Sequence, residues 1–478
     1  MNANQSLLIA AGFIIQAFVI SPLGYGQDPE MDGGCPGTLG RPSEAVISPA
    51  PYTLRFEDFA DEIPEFDSIP LPLSRPIEDQ IDLPAAVAKY DELAKQRPKH
   101  WPTKLLLGKL LLRKAKQDDH LPSYLEAHDT LEDACKLAPN STAAQIAFGQ
   151  CCLAVHEFQT AWDIAEHISK RSPQAADTAL VLALKFDAAL ELGDLVNAQS
   201  TADRLLRIEP SPPVKARVAR LAELQGNPEV SIRLLRESAK ELADSTDDVA
   251  SIAWYRWRIG SIMLDAGRTQ DAFTEFVSAL ELDPSHSESR VGLAHVYFAQ
   301  NQIELAKQEL VEASKSEAPT IVALLGDLLA HQGRTAEAES LWVKARAIMA
   351  EEAEYAQVAH SREVAIFLAD HQRELELATN LANLNLEQRR DATAWDCRAW
   401  VAFRSGELEI ADTAMEKALS ASAPQPLTLF HAALIANAGG KRQVASEYVA
   451  QIRDINPAFS ITHATAFAEL CRDLQATH

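Results

Sequence analysis

Basic charge is what this sequence has least to spare. Its 478 residues hold 44 Lys and Arg against 68 Asp and Glu, a formal net charge of −24. Affinity for a phosphate backbone needs clustered cations, so the sequence argues against a nucleic-acid partner. An anionic membrane surface is disfavoured for the same reason. No run of five or more like charges interrupts the chain.

Catalytic signatures are missing too. There is no GxSxG, no phosphate-cradling GxxxxGK[ST] and no GxGxxG after a strand. Glycines in "LGDL", "DAGR" and "SGEL" read as turns between helices, serving backbone conformation. No HExxH is present, since "HEFQT" at His156 lacks the second His. His360 and His371 are eleven apart, about three helical turns, too far to share an ion. The thirteen histidines are read as solvated or hydrogen-bonded. Adjacent acids such as Asp247-Asp248 and Glu351-Glu352 are read as solvated charge. No catalytic residue, metal ligand or cofactor is expected.

Cysteine is scarce and scattered, at 35, 135, 151, 152, 397 and 471, with no CxxC pair. Cys151 and Cys152 are adjacent, an awkward geometry for bonding to each other. Buried free thiols are the expectation. Long apolar runs are also lacking. The best, Leu7 to Ile20, is broken by Gln16 and is too short for a comfortable membrane span. It suits the apolar region of a signal peptide over residues 1–26, with cleavage after Gly26. The first six residues carry no Lys or Arg, which leaves an uncleaved anchor as the alternative. Either way the expected location is extracytoplasmic, and no other membrane contact is expected.

Residues 27–84 hold ten of the 25 prolines, and 13 acids against three Arg and no Lys. Such a stretch buries too little apolar surface to offset its chain entropy, so a disordered acidic arm is expected.

What the chain has in abundance is small residues at fixed intervals. In "WRIGSIMLDAGRTQDAFTEFVSALELDP", Gly260 and Ala272 are twelve apart, and Phe276, Ala279 and Pro284 follow. Gly267 sits midway in a polar break. The pattern reads as two amphipathic helices crossing at the small residues, with Phe276 beside the crossing. Pro284 ends the second helix.

The pattern recurs. The small residue opening each second helix falls at 127, 161, 198, 231, 272, 306, 338, 378, 411 and 445, mostly 32 to 37 apart. Two gaps, of 41 and 40, fall at "KELADSTDDVAS" and "IMAEEAEYAQ". Gly108 and Ala127 are 19 apart, so the first copy carries an insertion, "KAKQDDHLPSY". A hairpin that cannot bury its apolar face alone must stack on neighbours, so the fold class is all-α: a solenoid of about ten helix pairs over residues 85–470.

At these residues the chain resembles tetratricopeptide repeat proteins, over about residues 85 to 460. The section from Arg362 to Leu419 further resembles the carboxy-terminal part of exported bacterial proteins with these repeats. The resemblance implies a right-handed superhelix that binds a protein or peptide in its concave groove, with no catalytic residues of its own. First helices would line that groove. Their exposed positions are then expected to be Trp254, Trp257, Ser261, His295, Phe298, Asp327, His331, Phe367, Trp400, Phe403 and Arg404, with Glu363 and His371 beside them. Aromatics on such a face anchor extended peptides, because they bury large areas at low entropic cost. They could also stack on sugars, which makes a glycan-binding envelope or polysaccharide-export accessory the rival. The expected function is a non-catalytic scaffold.

Overall fold

The computed structural model describes residues 82–118, 121–176, 178–245, 248–353 and 361–475. The expected signal segment and nearly all of the acidic arm lie outside the described residues, as do Cys35, Asp247 and His360. Among the described residues there is no strand, and no helix is long and apolar enough to cross a membrane.

A lone helix, α1 (Leu83–Gln96), opens the array. The first pair is α2 (Trp101–Asp118) with α3 (Leu121–Leu137), and the second is α4 (Thr142–Ala154) with α5 (Phe158–Arg171). A single turn, α6 (Pro173–Ala176), leads to α7 (Ala179–Glu191) and α8 (Leu195–Ile208). Then come α9 (Pro212–Leu224) with α10 (Pro228–Ser245), α11 (Val249–Asp265) with α12 (Thr269–Leu282), and α13 (Ser287–Ala299) with α14 (Ile303–Ala313). The last four pairs are α15 (Pro319–His331) with α16 (Thr335–Ala353), α17 (Ser361–Asp370) with α18 (Leu375–Gln388), α19 (Ala392–Arg404) with α20 (Leu408–Ala421), and α21 (Pro426–Ala438) with α22 (Arg442–Ile455). A final helix, α23 (Ala464–Gln475), stands where an eleventh first helix would.

The ten marker residues behave as one class. Ala127, Ala161, Ala198, Ser231, Ala272, Ala306, Ala338, Ala378, Ala411 and Ala445 are all 0% exposed. They sit where paired helices touch, and a larger side chain would force the backbones apart. A Cβ placed on Gly260 would lie 2.7 Å from the Phe276 ring, and one on Gly292 in the next pair 2.4 Å from the same ring. Phe276 is therefore wedged between two glycines, and it is itself fully buried.

The turns follow the same ruler. Five residues before the marker stands a residue with positive φ in eight pairs: His156, Gly193, Gly226, Gly267, Asn301, Gly333, Gly406 and Gly440. That conformation ends the first helix and reverses the chain, and glycine adopts it at least cost.

The irregular spacings have simple causes. The gaps of 41 and 40 fall where the second helix is lengthened, α10 to 18 residues and α16 to 19. In the first pair, helices of 18 and 17 residues replace the 13 and 14 of α7 and α8. Seven extra residues are about two helical turns, so both faces keep register. The Cβ that Gly108 lacks would meet Leu131, four after the marker, as that of Gly260 meets Phe276.

The coil is wound tightly enough to touch itself. Arg390 N–H donates to the Glu191 carbonyl at 3.2 Å, Ala423 N–H to the Leu224 carbonyl at 2.9 Å, and the Asn456 amide to the Leu264 carbonyl at 2.8 Å. Each contact joins the turn inside one pair to a loop between pairs about five and a half pairs later. Three successive turns thus meet three successive loops, forming a seam between two windings. Gly193 and Gly267 face it so closely that an added Cβ would lie 2.5 Å and 2.1 Å from the Arg390 and Ile455 carbonyl oxygens. The seam also holds a buried ion pair: the Arg389 guanidinium donates to Glu191 at 2.6 Å and lies 4.9 Å over the Phe158 ring.

Candidate functional site

The inner face of the coil is where first helices converge. In the second winding that face is filled by the chain itself. The irregular segment from Asn456 to His463, after α22, crosses it and touches six first helices in turn. Asn456 bonds to the end of α11. Ile461 packs with Ala294 of α13 and with Leu325 and Leu328 of α15. The Thr462 hydroxyl donates to Asp327 of α15 at 2.6 Å. The His463 ring lies 3.6 Å from Asp370, which ends α17, and 5.5 Å and 5.1 Å from the rings of Trp400 in α19 and Phe430 in α21.

This corrects part of the sequence expectation. Trp254, Phe367 and Trp400 were expected to be exposed on the groove. They are buried, with Trp400 only 1% exposed. The reason is the radius of the coil: in a narrow superhelix, inner positions of successive first helices meet one another instead of solvent. Trp400 stacks on His431 at 4.1 Å between ring centroids and donates its indole N–H to Asp370 at 2.7 Å. Phe403 and Arg404 are half-buried beside it, the Arg404 guanidinium 5.0 Å over the Trp400 ring. Trp254 packs with Tyr255 and Trp257.

Asp327 is the polar centre of the filled region. One carboxylate oxygen accepts from the Trp342 indole N–H and from the His371 Nε2–H, each at 2.9 Å, and the other accepts from Thr462. The second ring nitrogen of His371 faces the Phe367 carbonyl at 2.7 Å. With acceptors on both sides, both nitrogens donate and the imidazolium is the form that fits. Burial opposes that charge, but the Asp327 carboxylate and the Phe367 carbonyl outweigh it, and the His371 pKa is raised. Burial raises the Asp370 carboxyl to about 6 and depresses the His463 imidazole to about 3, the neighbouring His431 adding to the latter.

The remaining expected residues form a second group at the mouth of this region. Trp257, Ser261, His295 and Phe298 are half-buried on α11 and α13. Ser261 donates back to the Trp257 carbonyl at 3.1 Å. Burial pushes the His295 imidazole down to about 4. Phe298 meets the exposed ring of His331 edge-on, with centroids 5.1 Å apart. In the first winding, the inner face carries Glu223 bridging Arg220 and Arg258, and Asp187 held by Arg217 at 2.8 Å. Sequence reasoning missed Trp342, Asp370, His431, Thr462 and His463. Trp342 occupied the bulky position of its pair and read as plain core, and Thr462 and His463 follow the last copy, where no period marks them.

One group of mixed ligands lies elsewhere: His128, Cys152 and Glu157, whose donor atoms fall within 4.8 Å of one another. Cys135, Cys151, Cys152, Cys397 and Cys471 are free thiols.

Residues 263–319, from the end of α11 to the start of α15, match the family model of the tetratricopeptide repeat. Over those residues the chain carries a tetratricopeptide repeat. No curated protein matches the sequence of this repeat protein. Among solved structures, the thermophilic tetratricopeptide repeat protein TTC0263 of Thermus thermophilus is 20% identical, covering 40% of this chain and 99% of that one, with a TM-score of 0.34. The human IFIT1 dimer with m7Gppp-AAAA is 15% identical, over 71% of this chain and 77% of its own, at a TM-score of 0.43. Yeast Tom70 is 13% identical, over 80% and 96%, at 0.30. Ligands named there belong to those proteins. Tetratricopeptide repeats serve in general as protein-interaction scaffolds.

Proposed function

We propose that this protein is a non-catalytic scaffold that holds an extended segment of a partner protein on the inner face of its coil, at Trp257, Ser261, His295 and Phe298. The observation that carries the reading is the packing of Asn456–His463: an irregular segment already lies across the same face, held by one hydroxyl, one imidazole and one aliphatic side chain. A face that accepts one such segment has the chemistry to accept another next to it. The half-buried Trp257 and Phe298 supply apolar area, and His295 and Ser261 supply polar atoms. The net charge of −24 steers a basic or neutral segment towards it. The glycan rival has less support, because stacking on a sugar needs an open aromatic face and Phe367 and Trp400 offer none.

The test is capture of partners by the full chain and by a Trp257→Ala/Phe298→Ala variant that keeps its helical spectrum. One abundant protein held by the first and lost from the second supports the reading. The same proteins held equally by both would remove it. Export is part of the proposal and rests on the apolar stretch Leu7–Ile20. An intact-mass measurement on protein from the native cell, finding the amino terminus at or near Gln27, would support it, and a cytoplasmic fraction retaining Met1 would not.

A further inference from the structure

His128, Cys152 and Glu157 come from three places in the chain. His128 is on α3, Cys152 is near the end of α4, and Glu157 stands at the start of α5, after the positive-φ turn at His156. The structure assigns to these three side chains a binding site for one divalent cation of borderline softness, of the zinc type. Their donor set is one thiol sulfur, one imidazole nitrogen and one carboxylate oxygen, the mixture that zinc accepts and that magnesium or calcium does not.

The geometry is close to what an ion needs. With bonds of about 2.0–2.3 Å, the edges of a tetrahedral site are roughly 3.3–3.8 Å long. His128 Nε2 and Glu157 Oε2 already stand 3.5 Å apart. The Cys152 sulfur lies within 4.8 Å of both. His128 Nε2 is shut off from solvent and makes no hydrogen bond within normal limits. Its one near partner is the Glu157 carboxylate, at a distance long for a hydrogen bond, and a cation between the two would bond to both.

The surroundings support the assignment. The other ring nitrogen of His128 faces Asp129 at 3.5 Å. With Glu157 and then Asp129 on its two sides the ring's pKa is raised, so an ion must displace the Nε2 proton, and the Asp129 carboxylate then holds the proton that stays on Nδ1. Cys152 is fully buried behind the site, while Glu157 is 41% exposed in front of it. The site is therefore closed on the thiol side and open on the carboxylate side, which gives an entry path. An ion held there would tie the long first pair to the second.

Coordination forms a metal–sulfur bond and breaks the Cys152 S–H bond, and the proton passes to the buffer. Burial, with Glu157 beside it, raises the Cys152 pKa, so the bare site holds its proton and binding strengthens as pH rises. No spacing in the sequence betrays the trio, because 128, 152 and 157 approach only when two helix pairs stack.

The experiment is titration of the full chain, reduced and metal-free, with Co²⁺ as the spectroscopic probe and Zn²⁺ as competitor. The expected result is a thiolate-to-cobalt charge-transfer band saturating at about one ion per chain, with release of the Cys152 proton and, where the His128 ring is charged, of its Nε2 proton, and loss of the band on adding zinc. Cys152→Ser should abolish the band, whereas Cys151→Ser, at the neighbouring thiol, should leave it. Glu157→Gln, on the exposed side where folding is least at risk, should weaken binding by about tenfold or more. No band in the wild type, or a band that survives Cys152→Ser or is lost in a folded Cys151→Ser, would overturn the assignment.

Discussion

Gly267 and Gly333 hold the same register position, five residues before the marker, with φ of 73° and 78°. They differ in what surrounds them. A Cβ on Gly333 would meet nothing within 4 Å, whereas one on Gly267 would lie 2.1 Å from the Ile455 carbonyl oxygen across the seam. Gly333→Ala should cost only the left-handed conformation, about 1–2 kcal/mol. Gly267→Ala should cost that and the clash, at least about 2 kcal/mol more, read as a lower urea midpoint. Equal costs would mean that the windings do not touch there. His295 provides a second residue-scale test. Its folded pKa of about 4 lies below the ordinary value of 6.5, so the unfolded chain binds more protons between those values. Stability contributed by neutral His295 is present above about pH 6.5 and is lost as pH falls towards 4. His295→Gln should flatten acid denaturation across that window by an amount on the order of 2 kcal/mol. An unchanged pH profile would show that the imidazole is better solvated than its packing implies.

At the scale of the element, helix pairs were legible and their inner faces were not. Ten markers read from spacing alone are the ten buried contact points, because the crossing of paired helices depends on residues a few turns apart. Exposure of Phe367 and Trp400 was misjudged because it depends on the rotation from pair to pair, which sums many small packing angles that no short pattern encodes. Segment Asn456–His463 read as a tail and is a filler of the inner face. Thr462→Val leaves one oxygen of Asp327 without its donor, so it should destabilise by about 1–3 kcal/mol. Hydrogen exchange should show the loss concentrated in the segment and in α23. Uniformly unchanged protection would mean that Thr462 does not hold the segment down.

On the scale of the whole molecule, the seam is what turns a ribbon of repeats into a closed coil. Its contacts join residues nearly 200 positions apart and use backbone carbonyls, an amide and one ion pair, none of which leaves a periodic trace in the sequence. Arg389 and Glu191 are both buried, so Arg389→Ala strands a carboxylate and should cost about 3 kcal/mol or more in thermal or urea unfolding. Lys95→Ala, which breaks an exposed pair with Asp91, should leave the unfolding midpoint nearly unchanged and serves as the control. A closed coil has an inside and an outside, and the proposed function puts the partner inside. The most direct test is a photo-crosslinking residue placed at Ser261 on the inner face or at Val196, which is 82% exposed on α8, followed by identification of the joined peptides in the native cell. The account predicts one partner segment joined through position 261 and not through 196. The same partner joined through position 196 alone would place binding on the outer surface and contradict it.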